Sequence, residues 1–182
     1  SNNPENSIIE ILMPWHYQTL ASIKLQETAT TRLLKEHSDI ATQVLIKLLP
    51  TEHQIACDTN RPNYMNIFKK DWEYSVKIND RNELVSHYIT LLIKQTKGNI
   101  GNITLIIKNL NKLNDKDFEK VVKIISSKKI INATEEKRVP IWEALLSEIK
   151  RHKKFKNAKW AMSPVRLEKL EVVLDLIKPK DL

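Results

Sequence analysis

Apolar residues recur along this chain at intervals of three and four, the spacing that lines one face of an α-helix. The first such stretch predicts a helix from about Thr19 to Glu36, with Leu20, Ile23, Leu25, Ala29, Leu33 and Leu34 largely on one side. Ser38 or Asp39 then opens a second helix, which carries Ile40, Val44, Leu45, Leu48 and Leu49 and stops at Pro50. The link between the two is short enough to require an antiparallel helical hairpin. A third helix is predicted from Asp80 to about Lys97, with Leu84, Val85, Tyr88, Leu91 and Leu92 inward and Gly98 at its end. The stretch from Asn102 to Leu113 is rich in β-branched residues and could be misread as a strand. The spacing to Leu110 and Leu113 continues a helical face and decides for a helix.

Asp115 opens a fifth helix through Phe118, Val121, Val122, Ile124 and Ile125. Thr134 opens a sixth, and Glu135 and Glu136 in its first turn suit the helix dipole. Pro140 either kinks that helix or marks its true first turn. Ser163-Pro164 starts the seventh, with a side-chain cap and a proline pre-set for the first helical position. Residues 1–18 read as an irregular arm, because Pro4 and Pro14 interrupt any long helix. Between the second and third helices lies a long polar connection, Thr51–Asn63, and then a stretch packed by Tyr64, Phe68 and Trp72.

The expected fold is therefore all-α: an irregular array of about seven helices, solenoid-like in character, with no repeat at a fixed period. Residues 19–182 would form a single helical domain. Composition supports this. Two glycines in 182 residues are too few for many tight hairpins. The opening Ser-Asn and the closing Ile177–Leu182 stretch suggest a fragment of a larger protein. The single cysteine, Cys57, rules out an internal disulfide and fits a reduced, cytoplasmic compartment. No apolar run is long enough to span a bilayer, so no membrane partner is expected.

The net charge is +8, which permits nucleic acid, acidic proteins or anionic surfaces as partners without requiring any of them. The charge is uneven. From Ile149 to Leu167 there are seven Lys or Arg residues and no Asp or Glu. Lys150, Arg151, Lys153, Lys154, Lys156, Lys159 and Arg166 are the candidate anion- or partner-binding residues. Trp142, Phe155 and Trp160 are candidate aromatic contacts or structural locks. Cations at a helix C-terminus stabilise it without any ligand. Trp160 beside a helix start reads more simply as a plug between helices six and seven. Lys154, Lys156 and Lys159 exceed what one helix end requires.

Catalytic patterns are absent from the sequence. There is no nucleophile elbow, phosphate-cradling glycine loop or dinucleotide fingerprint. His53 and Cys57 form one pair with no second, which is too little for zinc, so no metal or cofactor is expected. An enzyme reading would need His53, Cys57 and Asp58 to converge with His16.

Two stretches carry a resemblance. One is Pro14-Trp15-His16-Tyr17-Gln18-Thr19-x-Ala21-Ser22, followed by Leu48-Leu49-Pro50 and Thr59-x-Arg61-Pro62. The other runs from Trp142-Glu143-Ala144-Leu145 through Arg151-His152-Lys153-Lys154-Phe155 and Ala158-x-Trp160-Ala161-Met162-x-Pro164 to Leu167-Glu168-x-Leu170. Together they cover most of the chain and resemble a helical region of very large bacterial proteins. Those proteins carry an N-terminal effector or STAND-type NTPase module and are associated with phage defence or signalling. The resemblance implies a helical scaffold or sensor segment with no catalytic residue. Asn157 departs from the pattern, which has an acidic residue there. The expected function is a non-catalytic interaction module of a larger bacterial protein, contacting other segments of its parent or a protein partner. The alternative is nucleic-acid binding through the basic corner.

Overall fold

The computed structural model describes residues 3–15, 19, 21–50, 77–96 and 101–180. The fold is all-α, with no strand among the described residues. The chain divides into two compact units, Ser1–Leu91 and Leu92–Leu182, where the sequence suggests one domain from residue 19 onward.

In the first unit, α1 is Pro4–Ile11, α2 is Ile23–Glu36 and α3 is Ser38–Lys47, and α4, Ile78–Thr96, begins here. Helix α1 corrects the irregular arm expected for residues 1–18. Asn3 Oδ1 accepts from the Glu5 amide at 3.1 Å, and Pro4 occupies the first helical position, where its missing N–H costs nothing. A proline read as a breaker is here an initiator. Helix α3 packs against both α1 and α2, and Lys47 pairs with Glu5 at 2.8 Å.

The inward face of α2 also differs from expectation. Gln26, Thr30 and Leu34 are its buried residues, while Leu25 and Ala29 face solvent. The buried polar groups are satisfied locally. The Thr30 hydroxyl lies 2.9 Å from the Gln26 carbonyl, and Gln26 Nε2 donates to the Ala21 carbonyl at 3.0 Å. The inward residues of α4 are as predicted: Leu84, Val85, Tyr88, Leu91 and Leu92 are all buried. The Tyr88 phenol donates to the Leu12 carbonyl at 2.8 Å. Burial, with a smaller contribution from Glu27, pushes that phenol well above its ordinary range.

In the second unit, α5 is Gly101–Ile107, followed by a 3-10 turn at Leu110–Lys112. Then come α6, Asp115–Ile125; α7, Lys128–Ile131; α8, Glu135–Lys154; and α9, Pro164–Leu176. Helix α8 lies against α5 and α9, and α6 packs on α7 and α9. The β-branched stretch is helical, but α5 ends at Ile107, and Leu110 and Leu113 lie in the 3-10 turn and its cap rather than on a helix continuing to Leu113. Pro140 falls inside α8, so the Glu136 carbonyl there lacks its usual amide donor. Asn114 caps α6 reciprocally. Its Oδ1 accepts from the Asp117 amide and its Nδ2 donates to Asp117 Oδ2, both at 2.9 Å. Lys120 completes the buried Asp117 carboxylate at 2.7 Å. No described residue has a positive φ angle, so these turns are made without glycine geometry.

Candidate functional site

The basic corner forms where α8 ends and α9 begins. Helix α8 closes when the Phe155 amide donates back to the Arg151 carbonyl at 3.1 Å. Two further turns, Ala158 to Phe155 and Ala161 to Ala158 (both 2.9 Å), carry the chain round. Ser163 Oγ then accepts from the Arg166 amide at 3.4 Å, and Pro164 starts α9 as its position predicts.

At the centre of the corner is a fully buried imidazole. His152 Nδ1 lies 3.2 Å from the Met162 amide nitrogen. A backbone N–H only donates, so Nδ1 must hold the lone pair and Nε2 the proton of the neutral ring. Nε2 faces Glu148 Oε2 at 3.5 Å. The same carboxylate oxygen lies 2.9 Å from Arg151 Nη2. The Arg151 guanidinium stands over the Trp160 ring, 5.1 Å from its centroid. That ring meets His152 edge-on at 5.3 Å and Phe155 at a tilt at 5.8 Å. The Trp160 carbonyl accepts from Asn111 Nδ2 at 3.2 Å, tying the turn to the segment before α6.

Arg166 is the second clamp. Its Nη2 donates to the Leu113 carbonyl at 2.9 Å and to Asp115 Oδ1 at 2.6 Å. Its guanidinium lies 4.6 Å from the Phe118 ring centroid. Hydrogen bonding and charge from Arg166, with help from Lys169, hold the Asp115 carboxyl below its ordinary range.

The seven cations expected at this corner therefore separate into two groups. Arg151 and Arg166 are bound within the fold, and Lys153 pairs with Glu171 on α9. Lys150, Lys154, Lys156 and Lys159 are exposed and make no ion pair among the described residues. Of the three aromatic candidates, Trp160 is the lock itself and Trp142 is half-buried on α8. Phe155 is 48% exposed, with Lys154 Nζ 5.5 Å from its centroid. Sequence reasoning missed Glu148, His152, Asn111 and Asp115 as members of the network. The Glu148-x-x-x-His152 spacing, one helical turn apart, was the one local signal.

A second concavity, an open cavity of about 700 Å³, is lined in part by Thr134, Glu135, Arg138, Leu176 and Lys180. Its arginine is nearly buried, with both terminal nitrogens hydrogen-bonded and Nε left without a partner among the described residues. Arg138 Nη1 donates to the Ile131 carbonyl at 2.8 Å and Nη2 to Glu135 Oε1 at 3.2 Å. The same Glu135 oxygen accepts from the Lys180 amide at 2.9 Å. Among the described residues, the lining carries Arg138, Lys178 and Lys180 against the single carboxylate of Glu135.

Among the described residues, no group of three or more His, Cys, Asp or Glu could hold a metal ion. No helix among them is long and apolar enough to cross a membrane. His16, His53, Cys57 and Asp58, on which an enzyme reading depends, lie outside the described residues, as do Tyr64, Phe68, Trp72 and Gly98. Comparison with protein-family models, curated proteins and solved structures finds no match.

Proposed function

We propose that this chain is a non-catalytic helical interaction module of a larger bacterial cytosolic protein, and that it docks a partner helix along the outer side of α9. One observation carries this reading: α9 has an exposed apolar stripe in addition to its buried face. Leu167, Leu170 and Val173 face the core. Val165, Val172 and Leu176 are 63%, 62% and 51% exposed. Spacings of seven and four put these three on a single stripe, apart from the buried one.

A helix with one solvent face has no use for that second stripe. Completing the burial of three half-exposed aliphatic side chains would contribute about 3 kcal/mol. Glu168 and Asp175 flank the stripe along one edge and make no ion pair among the described residues. The matching occupant is an amphipathic helix whose apolar stripe carries Lys or Arg along one edge. The resemblance to helical regions of large STAND-type NTPase or effector proteins suits this role, with phage defence or signalling as the parent's business. The absence of catalytic motifs in the sequence and the lone Cys57 also support it.

The test places photo-crosslinking benzoylphenylalanine at position 172 in the full-length parent protein, with position 137 on exposed α8 surface as control. The reading expects crosslinks from 172 to a helical, basic-edged segment. Equal, background crosslinking at both positions contradicts it.

A further inference from the structure

Four lysines without an ion pair among the described residues lie at the corner near the exposed Phe155 ring in sequence, and Lys154 reaches the ring itself. Lys150 and Lys154 are one helical turn apart on the solvent side of α8, and Lys156 and Lys159 follow in the turn. Phe155 lies between Lys154 and Lys156 in the chain. Its ring is braced on one side by Trp160, which Arg151 and His152 hold in place. The site is therefore a half-exposed aromatic surface braced by Trp160, with exposed lysines before and after it in the chain.

We propose that this corner binds single-stranded nucleic acid, with a base stacked on Phe155 and the neighbouring phosphates neutralised by Lys150, Lys154, Lys156 and Lys159. The charge suits a polyanion, and the ring distinguishes among polyanions. An acidic peptide or an inorganic polyphosphate satisfies the lysines but offers nothing flat to stack. A nucleobase offers a π-face, whatever its sequence. One half-exposed ring is too little apolar surface to insert into a lipid headgroup layer. Lys154 already rests 5.5 Å from the Phe155 centroid. An incoming base would replace that weak contact and release the ammonium to the adjacent phosphate.

The chemistry also explains the partition of cations. Arg151, Lys153 and Arg166 are consumed in building the platform, and the lysines that remain outside it do the binding. This proposal does not depend on the outer stripe of α9, whose variants leave it untouched.

The experiment is fluorescence anisotropy of the whole chain with a labelled oligothymidylate, with unlabelled polyphosphate as the base-free competitor. Binding should weaken with salt, with a log–log slope of about −3 for four phosphates on a single strand. K154E/K156E should cut affinity at least about tenfold and roughly halve that slope, whereas K128E on α7 changes little. F155A should lose about five- to a hundredfold for the oligonucleotide and leave polyphosphate binding unchanged. F155L keeps the apolar bulk without the π-face and should lose affinity in the same way, which separates stacking from any loss of folding. No binding at low salt overturns the proposal. So does binding unaltered by K154E/K156E, or equal losses for oligonucleotide and polyphosphate in F155L.

Discussion

Replacing His152 by alanine should destabilise the second unit by about 3–6 kcal/mol. Two losses add up. The Met162 amide, buried with its residue, would lose its acceptor at 3.2 Å, and an orphaned buried N–H costs about 1–3 kcal/mol. Removing the ring from a fully buried position, with its edge contact to Trp160 at 5.3 Å, leaves a cavity worth about 2–3 kcal/mol more. Such a loss is a large share of the 5–15 kcal/mol typical of a whole domain. Asparagine can present its carbonyl oxygen where Nδ1 stood, so H152N should recover about 1–2 kcal/mol of the loss. Glutamine reaches instead toward the Nε2 position and Glu148, so H152Q should recover less. The assay is urea denaturation followed by circular dichroism, with native-state hydrogen exchange over residues 141–177 to isolate this unit from the other. Imidazole nitrogen NMR should find Nδ1 unprotonated. Equal stabilities for H152A and H152N, or both within about 0.5 kcal/mol of the parent chain, would refute the argument that the Met162 bond organises the corner.

Three further outcomes follow from the geometry. The folded Tyr88 phenol holds its proton more tightly than the unfolded one, so the stability this provides is complete below pH 10.0 and is lost as pH rises further. Y88F should remove that alkaline dependence and cost about 1–2 kcal/mol at neutral pH through the abandoned Leu12 carbonyl, read by denaturation at pH 7 and above 10. The Asp115 carboxyl is depressed by Arg166, so its contribution is present above its ordinary value of 3.8 and is lost as pH falls below it. Carboxyl NMR titration should show this depression abolished in R166Q. N114A should cost about 1–2 kcal/mol, because it removes both the α6 cap and one partner of the buried Asp117, and thermal denaturation measures it.

Much of the second unit was legible in the sequence. Ser163-Pro164, Thr134-Glu135-Glu136 and Asp115 mark helix starts by local chemistry, and local chemistry is what a sequence displays directly. Other features were hidden. Pro4 reads as a breaker unless Asn3 is recognised as the cap that makes it a first-turn residue. Gln26 and Thr30 look solvent-facing because their hydrogen bonds to their own helix and its approach do not show in a hydrophobic pattern. The basic corner looks uniformly charged because the answering carboxylates are remote in sequence: Asp115 for Arg166 and Glu171 for Lys153. Glu148, one turn before Arg151 and His152, lies just outside the acid-free run, so the run alone does not reveal it. The outer stripe of α9 was hidden for a related reason. With apolar residues on two stripes, Pro164–Leu176 has no single face to reveal.

That stripe is the centre of the account, and its burial in the parent protein can be measured directly. In a Cys57→Ser background, V172C should react with a maleimide at the rate of an exposed thiol in the isolated chain. In the full-length parent it should react at least about tenfold more slowly, while K137C on α8 keeps its rate in both. Equal labelling of V172C in the two settings would mean that nothing covers α9, and the interaction-module reading would fall.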